Sequence, residues 1–342
     1  MFRNSYSGKR ILLTGHSGFK GSWLHFWLNF LGAEVKGISL APASKPNHFT
    51  LLNAETNSSF CDIRNYPELE KQILDFQPEM VFHLAAQAIV RRSYKEPRET
   101  YESNLLGTVN LLDACRKCAS VKAILVVSSD KCYKDQGWLW GYRENDPLGG
   151  YDPYSASKAC TEIIAESWRN SFFNLQEYGK NHQVLLASAR AGNVIGGGDW
   201  GEDRLLTELM LAAKDKKCLY LRNPDAVRPW QHVLEAASAY LALGEKLLSG
   251  QKEFAEAWNF GPLQSDLITV ETAAAKLSET WEQISYSSNT TAKNPHETKI
   301  LSLDCSKAKQ KLRWHSVWDA DKCFQRTALW YKLFYEKNII NT

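Results

Sequence analysis

The chain has 342 residues, 44% of them hydrophobic and 23% charged, and its 41 basic and 38 acidic side chains leave a formal net charge of +3. These figures describe a globular protein with one large core or two packed lobes, and the lack of a long single-sign block excludes an extended nucleic-acid or membrane surface. No apolar run is long enough to span a bilayer and the first six residues carry no apolar signal core, so a cytoplasmic protein is expected.

Lys9 to Thr14 reads as a first strand, and Gly15-His16-Ser17-Gly18-Phe19-Lys20-Gly21 turns it into a helix that ends at Gly32. The glycines permit a tight turn and let backbone N–H groups approach a pyrophosphate at the helix N-terminus. Trp23, Leu24, Trp27, Leu28 and Leu31 form the apolar face of that helix, a context that favours dinucleotide binding over a plain strand–helix turn.

The second strand, Glu34 to Leu40, ends at Ser39 where an acid would bind the adenosine ribose 2′-hydroxyl. NAD is the expected cofactor, but with Lys45 and His16 available to a 2′-phosphate, NADP stays open. Asp62, followed by Ile63, suits either an adenine-edge contact or a cap on the helix after Pro67. Met80 to Leu84 is a buried strand leading to Ala85-Ala86-Gln87, where small residues allow close approach of a cofactor. His83 within it is expected to be a hydrogen-bonded core residue. Arg98 to Ala119 is helical, and Asn104 on its apolar face needs partners, for which a proton relay is one use.

Ala123 to Val127 is a clear apolar strand that closes on Ser128-Ser129-Asp130-Lys131, an acid and a base where α/β sheets bind ligands. Cys132 to Gly150 is expected to form a loop over the site. Tyr154 then opens a helix reaching about Tyr178, with Lys158 on the same face at i+4. An ammonium beside a phenol favours phenolate, so ionisation below the free value of about 10 is expected. Gln183 to Ser188 is another strand, followed by the glycine-dense Arg190 to Trp200 loop, expected to be flexible. Beyond it the β–α alternation becomes irregular, which indicates a second lobe. There Arg222 and Arg228 suit a diphosphate, with Trp230 as a pocket wall. Leu234–Leu248, Val270–Glu282 and Ala320–Glu336 are helical, and Trp258 to Pro262 ends a strand. Eight irregularly spaced cysteines point to reduced thiols, and Cys115 and Cys118 to packing, with no metal site expected.

Taken together, Thr14 to Leu24, Ser129-Asp130-Lys131, Gly141-Tyr142-Arg143-Glu144, Tyr154 to Lys158, Gly192 to Trp200 and Arg228 to Val233 resemble the CDP-glucose 4,6-dehydratases, a subgroup of the extended short-chain dehydrogenase/reductase superfamily. Ser129 stands where related dehydratases usually carry Thr, and Lys131 where the dTDP-glucose enzymes carry Glu. That lysine also occurs in some UDP-N-acetylglucosamine dehydratases, so another nucleotide-sugar 4,6-dehydratase or a 4-epimerase stays open.

The resemblance implies an α/β architecture, a Rossmann-type doubly wound parallel sheet with a smaller C-terminal substrate-binding lobe. It divides the chain into a dinucleotide domain over 1–190, with a later contribution near 226–260, and a lobe mainly over 191–342. It also implies dehydration of CDP-glucose by hydride removal at C4, loss of water across C5 and C6, and hydride return at C6. Tyr154 would take the 4-hydroxyl proton, aided by Lys158 and Ser129; Lys131 would take the C5 proton and Asp130 protonate the departing 6-hydroxyl. Cofactor contacts are implied at Gly15, Gly18, Phe19, Lys20, Gly21, Asp62, Ile63, Ala85, Ala86, Gln87, Asn104, Ser128, Tyr154 and Lys158. Substrate contacts are implied at Gln87, Asn193, Arg204, Arg228 and His232, with a homodimer formed through a four-helix bundle and a product serving deoxysugar supply to a lipopolysaccharide O-antigen.

Overall fold

Ile11 and Leu13 of the first strand enter one hydrophobic core and Leu12 between them enters another, the period of two that a sheet covered on both faces requires. The same alternation recurs at Val81 and Phe82, at Ile124 and Leu125, and at Leu185 and Leu186. The computed structural model describes residues 2, 4–53, 57–262, 267–288 and 301–339. Strands β1 (Arg10–Thr14), β2 (Glu34–Ser39), β3 (Ser58–Phe60), β4 (Met80–His83), β5 (Ala123–Val127) and β6 (Leu185–Ala191) form one parallel sheet with the strand Ala257–Phe260. The order is Ala257–Phe260, β6, β5, β4, β1, β2, β3, so direction of winding reverses between β1 and β4, where a doubly wound sheet opens its ligand crevice.

Helices Phe19–Phe30 and Val233–Leu248 cover one face, with Leu24, Leu28, Tyr240 and Leu243 fully buried. Tyr66–Phe76, Gly107–Lys117 and Pro153–Ser171 cover the other, through Leu69, Ile73, Leu111, Leu112 and Ala165. Cys115 and Cys118 are packed in that second core, and none of the eight cysteines forms a disulfide in the structure. Truncating a side chain as enclosed as Leu125 to Ala would cost about 2–5 kcal/mol. A third core joins helices Leu205–Lys214, Val270–Thr280 and Ala320–Lys337 around Trp230, Trp281, Phe324 and Trp330. It forms the lobe that faces the strand ends. Later segments return to the sheet: Val233–Leu248, Ala257–Phe260, and Ala308, Leu312 and Trp314 all join the first core. Residues 263–266, 289–300 and 340–342 of the expected lobe lie outside the described residues, as do Met1, Arg3 and residues 54–56.

Four local expectations change. The helix expected over Arg98 to Ala119 contains a π turn at Glu102–Leu106. Asn104 causes the inward pull, bonding both backbone groups of Gln87 and the Ser157 hydroxyl. The helix carrying Tyr154 stops at Ser171, because Asn174 folds back on the Asn170 carbonyl and the Gln176 amide. β6 runs on to Ala191, and its buried Arg190 is tolerated because Glu162 pairs with it at 2.8 Å. The glycine loop, expected to be flexible, is closely packed against rings: a Cβ on Gly197 would sit 2.0 Å from Trp330, and one on Gly198 2.6 Å from His48.

Candidate active site

A cleft of about 770 Å³ opens at the C-terminal ends of β1, β4 and β5, between the sheet and the second lobe. Its floor is the turn after β1. Gly15 has φ +74°, and a Cβ there would lie 2.7 Å from the Ala85 amide nitrogen. A Cβ on Gly21 would lie 2.0 Å from the Gly15 carbonyl oxygen. Only glycine fits either position, and the turn brings bare backbone to the start of helix Phe19–Phe30, the shape and polarity a pyrophosphate takes. Gly15, Gly18, Phe19, Lys20, Gly21, Asp62, Ile63, Ala85, Ala86, Gln87 and Ser128 all line this cleft. The residues present therefore fit a dinucleotide.

Asp62 does not cap a helix; Asn65 occupies the N-cap position, and Arg64 holds the Asp62 carboxyl below the usual carboxylate range. His16 is withdrawn from any 2′-phosphate, being fully buried against Gly37 and bonded to the Ser58 hydroxyl, with burial pushing it down to about 4. Lys45 is not among the cleft residues. His83 is the core histidine expected, held by the Thr14 hydroxyl at 2.7 Å and the Thr108 hydroxyl at 3.1 Å. Asn104 stands behind the cleft wall, where it fastens Gln87 to the Ser157 turn rather than meeting a cofactor.

The opposite wall carries the reactive groups. Helix Pro153–Ser171 begins with Asp152 capping the Ser155 amide at 2.9 Å and Pro153 in the first turn, which fixes where Tyr154 and Lys158 emerge. Lys158 donates to the Val127 carbonyl at 3.3 Å, and burial with the neighbouring Lys20 ammonium pushes it down to about 8. The Tyr154 phenol moves against expectation: burial pushes it up to about 12, opposed by a Ser129 hydrogen bond and the Arg204 charge. The Ser129 hydroxyl donates to Asp130 Oδ1 at 2.9 Å, while the buried Asp130 Oδ2 has no partner among the described residues. Lys131 lines the same wall.

From the second lobe, Asn193, Arg204 and Arg228 face the cleft, joined by Arg222 and Trp230. Arg204 is steadied by Asp199 at 2.6 Å, and Asp199 is clamped through its backbone N–H and C=O by the Tyr331 hydroxyl. His232 is absent from the wall. It caps helix Val233–Leu248 through the Leu234 amide and packs on Trp318, so its ring serves the fold. Sequence reasoning did not single out Glu162 and gave Arg190 and Asp199 no role of their own within the glycine-dense stretch. The spacing of Glu162, four residues after Lys158 on a helix face turned to the sheet, was the available signal.

Fold and cleft together define a dinucleotide-binding α/β protein with room for a second, anionic ligand beside an acid, an amine and a Tyr–Lys pair. The chain belongs to the GDP-mannose 4,6 dehydratase family, whose model matches residues 12–327. It is 46% identical to a CDP-glucose 4,6-dehydratase of Salmonella typhimurium over 332 residues, 96% of this chain and 92% of that one. A UDP-glucose 4-epimerase of Thermotoga maritima, solved with UDP-glucose, has the same fold, with a TM-score of 0.80 at 23% identity over 94% of this chain and 98% of the other. A dTDP-glucose 4,6-dehydratase double mutant of Streptomyces venezuelae, solved with NAD, superposes with a TM-score of 0.76 at 22% identity over 94% and 97%.

Proposed function

We propose that this chain is a hydro-lyase, a CDP-glucose 4,6-dehydratase that holds NAD and yields CDP-4-dehydro-6-deoxy-glucose. The observation that carries the reading is the acid and amine Asp130 and Lys131 lining one cleft with Tyr154 and Lys158. A dehydrogenase or epimerase needs only the second pair. The Salmonella relative's name supports cytidine as the base.

The glycine turn of Gly15, Gly18 and Gly21 would hold NAD, which when bound would supply the hydride acceptor for C4 and the hydride donor for C6. Tyr154, as phenolate, takes the proton of the sugar 4-hydroxyl, Ser129 hydrogen-bonds the same oxygen, and the Lys158 ammonium favours the phenolate from which the transfer starts. The 4-ketone acidifies C5. Lys131 takes the C5 proton, and Asp130, through its unpartnered oxygen, gives a proton to the 6-hydroxyl, which leaves as water. Asn193, Arg204 and Arg228 hold the sugar diphosphate, with Gln87 beside them.

The enzyme works as a homodimer. Tyr101, Leu106 and Ile163 are exposed on segments that pack against each other, an apolar surface that a second copy covers in a four-helix bundle. Eight cysteines outside any disulfide suit the reducing cytoplasm. Purified protein with CDP-glucose should release a 4-keto-6-deoxy sugar nucleotide without stoichiometric use of NAD, and light scattering should report two copies that Ile163→Asp separates. Inversion at C4 with the 6-hydroxyl retained would replace the dehydratase reading with an epimerase.

A further inference from the structure

Lys158 and Glu162 lie one turn apart on the inner face of the same helix, and they meet successive residues where β5 ends: the ammonium takes the Val127 carbonyl, the carboxylate the Ser128 hydroxyl. Glu162 is 1% exposed. Its other oxygen accepts from the Ser188 hydroxyl at 2.7 Å and from Arg190 Nη2 at 2.8 Å. Arg190, also buried, uses Nη1 to hold the Tyr133 hydroxyl at 2.7 Å and the Glu144 carbonyl at 2.9 Å, and the Tyr133 hydroxyl in turn donates to Asn259 at 2.7 Å. One ion pair thus ties helix Pro153–Ser171, β5, β6 and the strand Ala257–Phe260 to the loop that walls the cleft.

Buried ion pairs are poor stabilisers, since well-packed apolar residues serve stability as well or better. What this pair supplies is direction and charge. We propose that Glu162 is a positioning residue for the reaction: fixed by Arg190, it sets Ser128 and hence the Ser129–Asp130 strand end, and it is the near anion of the Lys158 ammonium. Around that ammonium stand Lys20 from the glycine turn, His83 from β4, the Cys132 thiol after β5, and Tyr154 on its own helix. Around Glu162 stand Arg190, Arg169 and Cys132. Lys20 and burial push the Lys158 amine toward neutrality, and Glu162 opposes them. Without its charge, the unpaired Arg190 adds to the cations, and Lys158 loses its proton at lower pH.

The test has two arms, of which only turnover rests on the dehydratase reading. In the first, trace amine acetylation of full-length NAD-loaded protein is followed against pH at the Lys158 peptide by mass spectrometry. Glu162→Gln should lower the Lys158 midpoint by about one unit, while Glu162→Asp, which keeps the charge, should stay near the wild type. In the second, the alkaline limb of kcat for CDP-glucose should move down by the same amount in Glu162→Gln, with kcat at the wild-type optimum reduced about tenfold. Should Glu162→Gln not fold, the Glu162→Gln/Arg190→Met double variant leaves no unpaired charge and should show the same fall in smaller measure. A Lys158 midpoint equal to that of the wild type in whichever variant folds would overturn the proposal, leaving Glu162 a structural residue. Absent wild-type turnover with a shifted labelling midpoint would overturn the substrate reading and support the assignment of Glu162.

Discussion

Ser129 donates its hydroxyl to one oxygen of Asp130 at 2.9 Å, and the second oxygen of that buried carboxyl has no partner among the described residues. Buried polar atoms are nearly always satisfied, and one left over on a cleft wall is free to meet a ligand. Asp130→Asn keeps the shape and an acceptor for Ser129 but cannot give up a proton. It should lower formation of the 6-deoxy product by about 10²–10⁴-fold with melting temperature little changed. Exchange of the C5 hydrogen with solvent deuterium, which needs only the Tyr154 and Lys131 steps, should persist.

Gly21 sets a second prediction on sterics alone. The Cβ of Gly21→Ala would lie 2.0 Å from the Gly15 carbonyl oxygen, backbone that cannot swing aside as a flexible side chain can. The turn must open, costing about 1–3 kcal/mol and spoiling the donors aimed at the pyrophosphate. Calorimetry should find NAD affinity lost out of proportion to stability, and an alanine variant that binds NAD as the wild type does would show that the turn is not the cradle.

Five buried histidines make stability depend on pH. Burial pushes His16, His25 and His232 down to about 4, and His48 and His83 to about 3. The unfolded chain takes up these protons near pH 6.5 and the folded chain refuses them, so the stabilisation is full above about 6.5 and is lost as pH falls toward 3–4. The Glu162 and Asp62 carboxyls, held low by Arg190 and Arg64, begin to add their losses at the acid end of that window, as pH falls through the ordinary carboxylate range, and continue below it. Urea midpoints should fall steadily from pH 7 to pH 4.5, and His48→Phe, which keeps a ring against Trp23, should flatten the slope by one proton's share. A pH-independent midpoint over that range would refute the assignment.

Much of this architecture was legible because it rests on local chemistry. Unbroken buried runs at Met80–His83 and Ala123–Val127, the glycine turn, and the Asp152-Pro153 start of a helix each state their own geometry. What escaped depends on partners distant in sequence. The π turn at Asn104 exists because Gln87 and Ser157 pull on one amide, and no periodicity encodes that. His232 sits in a motif that reads as ligand-binding, yet its ring is spent on a helix cap and Trp318. The rise of the Tyr154 phenol likewise follows from burial, which an i, i+4 spacing with Lys158 does not reveal.

The last prediction concerns the ribose end of the cleft, where the acid typical of NAD sites is replaced by Ser39. Its hydroxyl donates to Ser17 Oγ at 2.8 Å, and Ser17 in turn bonds the Leu40 carbonyl. Leu40, Ala41, Pro42, Ala43 and Ser44 continue the rim, none of them cationic, while His16 is buried and neutral and Lys45 lies off the wall. A 2′-phosphate carries close to two negative charges and needs a guanidinium or ammonium to replace its water; a 2′-hydroxyl needs only one acceptor or donor. The wild type should therefore bind NAD more tightly than NADP. Placing an acceptor there with Ser39→Asp should raise NAD affinity several-fold and repel NADP further, and Ser39→Arg should narrow or invert the ratio. Titration calorimetry of both dinucleotides against the three proteins measures it directly. Equal wild-type affinities would mean that a cation from elsewhere reaches the 2′ position.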